Sequence, residues 1–176
     1  MYENRVQKTY AILQVLVKKY QEITGKPLIG DEMKMHKMMY YIQKTSLALT
    51  GEPIINESFE GWIHGPVLPS IRGAFEDFIE APECETQLSD TELYIVENTI
   101  YSYGQYTAWN LREQSHQEHA WINSRKGLST KERGQNKLLL EDIMEDAKGM
   151  RLYDYQYDMY IDEFDDIDEE NFIHAQ

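Results

Sequence analysis

The residues of this 176-residue chain that could act on a ligand or an ion are five histidines, one cysteine and a scatter of carboxylates. His36, His64, His116 and His119, with Glu60 and Glu118, form the set that invites a metal or acid-base reading. His116 and His119 stand three apart, so on a helix both could face one ion. The string His116-Gln117-Glu118-His119 is nevertheless not a zinc-protease motif, because its acid is out of register with the second histidine. The plainer expectation has His64 as a turn residue, His116 as a helix-end or buried hydrogen-bonding group, and His119 as a surface group. No metal and no cofactor are expected.

The other chemistries are weaker. Cys84 lies between Glu83 and Glu85, whose negative charge raises a thiol pKa and opposes thiolate formation. Gly61 and Gly65 do not have the spacing of a phosphate-cradling loop. Glu60 and Glu118 would be an acid-base pair only if the fold brought them together in a cleft. Trp62, Trp109 and Trp121 are expected as packing residues, since each buries roughly 200 Å² and controls whatever it touches. Along an extended strand, a period of two would place Glu60, Trp62 and His64 on one side. Phe59, Gly61 and Ile63 would then take the other.

The elements that must position these groups are mainly helical. Val6, Tyr10, Leu13, Val17 and Tyr20 share a face of a helix from about Glu3 to Ile23, which Gly25-Lys26-Pro27 ends. Met35, Met38, Met39, Ile42, Ser46 and Leu49 form a stripe on a second helix, with Lys34, Lys37 and Lys44 away from it. Asp31 caps that helix. Gly51 supplies a left-handed stop and Pro53 prevents resumption. Ile54-Ile55 and Phe59–Ile63 read as two arms of a hairpin around Asn56-Glu57-Ser58, and His64-Gly65-Pro66 as a corner. A third helix carries Ile71, Ala74, Phe75 and Phe78, after Pro69 in its first turn.

Further on, Glu80–Glu85 is a polar loop and Ser89-Asp90-Thr91-Glu92 a capping box. The helix it opens bears Leu93, Val96, Ile100 and Tyr103 and stops at Gly104. Thr107 caps a short helix with Trp109 and Leu111, and His116–Trp121 forms another turn or two. Residues 125–135 read as an exposed basic loop. Asn136 caps a last helix with Leu139, Ile143 and Ala147 on one side, ended by Gly149. The fold class is therefore α+β, mainly α with a small antiparallel hairpin, in one compact helical bundle over residues 1–150.

Composition narrows the function. A chain of this length buries roughly 70% of its unfolded surface, enough for one core. No apolar run approaches the ~20 residues of a membrane span. The N-terminus lacks a signal peptide's apolar stretch and one cysteine allows no intrachain disulfide, so a cytoplasmic protein without a membrane partner is expected. The net charge of −14 argues against direct nucleic-acid binding. Residues 152–176 hold nine acids and no Lys or Arg, leaving −5 on the rest. This acidic, Tyr-rich tail, residues 151–176, reads either as solvated and disordered or as docking on a basic, partly apolar partner. Tyr153, Tyr155 and Tyr157 alternate with polar residues at strand period.

The strings KMMYYIQ, LALTGEPI and FEGWIHGPVLPS, spanning Lys37 to Ser70, resemble the core signature of the Panacea domain, the SocA-like antitoxin or phage-associated GepA-like family. Leu111–Trp121 is similar to a later Thr-His-x-x-x-Pro-Trp element, with Ser115 and Ala120 in place of the Thr and Pro. The resemblance implies a mainly helical domain that binds and neutralises a cognate toxin, with some relatives delivering the toxin to protease machinery. It marks Gly51, Pro53, Gly65, Pro66, His116 and Trp121 as structural. Glu60, Trp62, His64, Tyr155, Tyr157, Asp162, Asp165 and Asp166 are the candidate contacts to a toxin with a basic surface, and no catalytic residue is expected. The alternatives are a phage-encoded inhibitor whose acidic tail imitates nucleic acid, and a histidine/carboxylate hydrolase.

Overall fold

The computed structural model describes residues 2–72 and 87–163, with side chains from residue 7 onward. The expected helix over Ala74, Phe75 and Phe78, the loop at Glu80–Glu85 with Cys84, and the acids Asp165 and Asp166 lie outside the described residues. Six α-helices are described: α1 (Tyr2–Thr24), α2 (Glu32–Thr50), α3 (Asp90–Tyr103), α4 (Ala108–Ser115), α5 (His119–Ser124) and α6 (Leu140–Lys148). Two antiparallel hairpins accompany them, β1 (Glu60–Trp62) with β2 (Gly65–Val67), and β3 (Tyr153–Asp154) with β4 (Met159–Tyr160). A single 3₁₀ turn, Pro69–Ile71, follows β2. Among the described residues no helix is long and apolar enough to cross a membrane.

The second helix is the axis of the molecule. Asp31 accepts from the Lys34 amide at its start, and Gly51 at φ 75° ends it in the left-handed region, donating to Leu47 O. α3, α4, α6 and β2 all pack on it, and α1 packs on α3. Every residue from Lys34 to Leu47 is buried. The expectation of a one-sided stripe with Lys34, Lys37 and Lys44 turned away is therefore corrected, because a helix covered all round has no side left for solvent.

Each buried lysine has instead found oxygen. Lys34 Nζ donates to Tyr20 Oη at 2.6 Å and Gly104 O at 2.8 Å. Lys37 Nζ donates to Pro66 O at 2.9 Å, and Lys44 Nζ to both oxygens of Glu118 at 2.8 Å. On α1 the buried stripe is Thr9, Ile12, Leu13, Leu16 and Tyr20, rotated from the expected face, with Tyr10 and Val17 only partly covered.

The first hairpin is also shifted from its expected pairing. Glu60 pairs with Val67, Gly61 with Pro66 and Trp62 with Gly65, around the two-residue turn Ile63-His64. Ile54 and Ile55 are buried but form no strand. A glutamine side chain stands in for the missing partner: Gln43 Nε2 donates to Ile55 O at 3.0 Å and Ile55 N donates to Gln43 Oε1 at 2.8 Å.

The loop expected over residues 125–135 is present and mostly exposed, with Arg125 and Gly134 as its buried residues. Arg125 is buried, and its guanidinium donates to the carbonyls of Gly61, Ser129 and Glu132, so the loop is wound about a cation. Asn136 does not cap the last helix; its side chain donates to Ser124 O and its carbonyl accepts from Gly61 N, while Leu139 holds the cap position.

Candidate functional site

The turn of the first hairpin, the start of α2 and the outer side of α4 meet in a surface where the sequence's chemically distinctive residues collect. A small pocket of about 160 Å³ opens there, lined by Glu32, Met33, His36 and Lys37 of α2 and by Trp62, His64 and Arg72. Trp62 is half-buried. Its Nε1 donates to Glu60 at 2.8 Å, its carbonyl accepts from Trp121 Nε1 at 2.9 Å, and the Arg72 guanidinium lies 4.2 Å from its ring centre. Glu60 and Trp62 thus share one side of β1, as strand periodicity requires.

His64 is an exposed turn residue whose ring meets Trp109 edge-on at 6.0 Å. Arg112 Nε donates to His64 Nδ1 at 3.2 Å, and the Arg112 guanidinium sits 5.3 Å from the Trp109 ring. Burial and this guanidinium lower the His64 pKa. Arg112 also pairs with its neighbour Glu113. Trp109 is 60% exposed, which corrects its expected role as a packing residue.

Beneath the turn the hairpin touches α2 and α4 closely. A Cβ on Gly65, at φ 101°, would come within 2.6 Å of both Lys37 Cε and Ser115 Oγ. Burial, reinforced by Arg112, pushes the Lys37 ammonium down to about 7. His36 accepts the Leu68 amide at Nδ1, and burial lowers it to about 3, although Glu32 stands 3.6 Å from Nε2. At that distance Glu32 is too far to hydrogen-bond, and desolvation outweighs it. His116 caps α4 and stacks on Trp121 at 3.9 Å, its pKa lowered to about 4 by burial and Arg112.

These histidines are neutral at physiological pH and their carboxylate companions are engaged. Glu118 is held by Lys44, and Glu60 by Trp62. Burial raises the Glu118 pKa against the pull of Lys44. Asp146 uses both oxygens to accept the amides of His119 and Ala120 at the head of α5. His119 is exposed and contacts Asn123 and Asp142. Among the described residues, no three His, Cys, Asp or Glu side chains converge as metal ligands. His64 lines the pocket; His116 and Glu60 do not.

The tail candidates lie on a different surface. Tyr155 stacks on Tyr101 at 4.6 Å, its amide donates to Asn98, and its hydroxyl bonds Glu97, so it fastens the β3–β4 hairpin to α3. Tyr157 at the hairpin tip is 75% exposed, and Asp162 accepts from Arg151 at 2.9 Å. Gly51 and Pro53 mark the end of α2, away from the pocket residues in sequence and in role.

Sequence reasoning missed Lys37 as a buried cation, and Arg72, Trp109 and Arg112 as members of this surface. The signal for Trp109 was its place at the second position of a capped helix, with Leu111 turned inward.

The family model described as antitoxin SocA-like, Panacea domain, matches residues 35–122, half of the chain. The matched span runs from α2 through the first hairpin to α5 and includes Lys37, Trp62, His64, Arg72, Trp109 and Arg112. The chain therefore belongs to the SocA-like antitoxin family, the Panacea domain proteins. Neither the comparison with curated proteins nor that with solved structures gives a match.

Proposed function

We propose that this protein is an antitoxin that neutralises a cognate protein toxin by stoichiometric binding, without catalysis. Family membership over residues 35–122 is the observation that carries the reading. The geometry agrees with it: Trp62, His64 and Trp109 form an accessible aromatic surface, and the histidines and carboxylates are committed to packing and hydrogen bonds. Aromatic and arginine side chains are the residue types in which protein-protein binding energy concentrates. The charge of −14 suits a toxin that carries a basic surface elsewhere on its contact area. Tyr157, Asp162, Asp165 and Asp166 are the acidic-aromatic contacts we assign to that part of the complex.

The test is co-expression. The reading frame adjacent to this one is expressed with and without the protein, growth is followed, and the pair is purified together. Toxicity relieved by co-expression, with an equimolar complex recovered, is the expected result. Absence of any toxic effect and of a complex would overturn the reading. The toxin's lifetime in the same cells separates simple sequestration, in which the toxin persists, from delivery to a protease, in which it is lost.

A further inference from the structure

One stretch of the chain runs against the charge of the molecule. Residues 125–137 hold Arg125, Lys126, Lys131, Arg133 and Lys137 against one acid, Glu132, a charge of +4 that leaves −18 on the rest of the chain. Arg125 is buried among carbonyls, whereas the other four cations are exposed. None of those four forms an ion pair with a carboxylate among the described residues. Of the acids next to them, Glu132 accepts the Ser129 amide and Asp142 accepts from Asn123. Glu60, opposite Lys137 in an isolated β-bridge, accepts from the Trp62 indole, and Glu141 is exposed at the head of α6. The loop is also held in place. The Arg125 guanidinium binds Gly61 O, while Gly61 N donates to Asn136 O and Leu138 N to Phe59 O, so both ends of the loop are tied to β1.

A segment of matching charge lies in the same chain. Residues 164–176 carry Asp165, Asp166, Asp168, Glu169 and Glu170 and no Lys or Arg. The second hairpin turns the chain back toward the C-terminal end of α6: Ile161 N donates to Leu152 O, and Asp162 accepts from Arg151, which closely follows Lys148. The basic loop meets the other end of the same helix, since Lys137 closely precedes Leu140. A helix of 9 residues is about 14 Å long, and acids two to seven residues beyond Glu163 reach about 7–25 Å from it. Glu141 and Glu145 are exposed on α6 and repel the segment from the helix itself, which leaves the loop as its attractive landing in that direction.

We propose that residues 165–170 dock on the basic loop of the same chain, with their carboxylates set against Lys126, Lys131, Arg133 and Lys137. The inference stands apart from the antitoxin reading, although a basic toxin surface would compete for the same acids. Exposed ion pairs are individually weak, but tethering brings the segment to an effective concentration in the millimolar range, and the four cations act together. The contact is electrostatic, so salt dissolves it.

The experiment uses the full chain with a nitroxide at Asn171→Cys, Cys84→Ser removing the other thiol, and reads paramagnetic broadening of the backbone amides of residues 126–138. Those amides are expected to broaden in about 10 mM salt. In about 1 M salt, where the Debye length drops from ~30 to ~3 Å, the broadening falls at least about fivefold. Lys131→Glu with Arg133→Glu reduces it by a similar factor, whereas Lys18→Glu with Lys26→Glu, the same charge change at exposed lysines on and just after α1, leaves it unchanged. Thermal melting checks that each variant is folded, and the salt comparison decides where one is not. No broadening at low salt, or broadening that survives both salt and charge reversal, would overturn the proposal. A mixture of spin-labelled chains with isotope-labelled chains lacking the nitroxide tests for a second copy. Equal broadening in that mixture would assign the segment to a neighbouring molecule and overturn docking within one chain.

Discussion

Gly65 is the residue on which the site's close packing depends. Its φ of 101° is strained for any side chain, and a Cβ would press on Lys37 and Ser115. Gly65→Ala is expected to lower stability by about 2–4 kcal/mol in urea unfolding. Lys37 makes a prediction with a definite sign. Its folded-state value of about 7 lies below its ordinary 10.5, so between those pH values the unfolded chain binds the extra proton. Stability from this group therefore rises as pH rises from about 7 to 10.5. Lys37→Met removes the slope, and at neutral pH it is expected to be neutral or stabilising, because a buried charge without a carboxylate partner is replaced by an apolar chain.

His36 acts in the acid range. Its value falls from 6.5 to about 3, so the folded state prefers the neutral ring. The stability this gives is complete above pH 6.5 and is lost as pH falls toward 3, on the order of 5 kcal/mol in all. His36→Asn keeps an acceptor for the Leu68 amide and should flatten the acid limb of a melting-temperature profile.

At the scale of elements, Arg125 holds the segment after α5 and joins it to the first hairpin. Arg125→Met strands the carbonyls of Gly61, Ser129 and Glu132. The expected outcome is a loss of about 2–4 kcal/mol and faster proteolytic cleavage between residues 126 and 135. This arginine also shows what a sequence conceals. The caps at Asp31, Gly51, Ser89 and Thr107 were legible because each is decided within a few residues. Arg125, Lys34, Lys37 and Lys44 read as surface residues because their partners are distant in the chain, such as Gly61 for Arg125 and Pro66 for Lys37. Ile54-Ile55 read as a strand arm for the same reason, since an apolar pair says it is buried but cannot say that Gln43 satisfies its backbone. Strand periodicity placed Glu60 and Trp62 on one side, but β1 ends at Trp62 and His64 belongs to the turn, so the period of two does not extend to it; Arg72, Trp109 and Arg112 joined this surface only through tertiary packing.

Across the whole molecule, the second hairpin is an outer attachment rather than part of the core. Tyr155 lies over Tyr101 and Tyr94 and bonds Glu97 and Asn98, all of them on α3. Tyr155→Ala is expected to raise amide exchange across residues 151–163 while global stability falls by no more than about 1–2 kcal/mol. A much larger global loss, with exchange across residues 151–163 rising only in step with it, would show instead that the hairpin belongs to the core.

The enclosure of α2 has a consequence for the newborn chain. Its Met-rich sides are covered in part by α6, near the other end of the sequence, which also closes over α5. At about 5–20 residues per second, the ribosome takes several seconds to deliver that cover after α2 has emerged. During that interval a nascent polypeptide presents an open trough of methionine, leucine and tyrosine, attractive to chaperones and to other unfinished copies. Ribosome-bound chains halted before residue 140 should therefore bind trigger-type holdases and hydrophobic dyes strongly, and release both once α6 is complete.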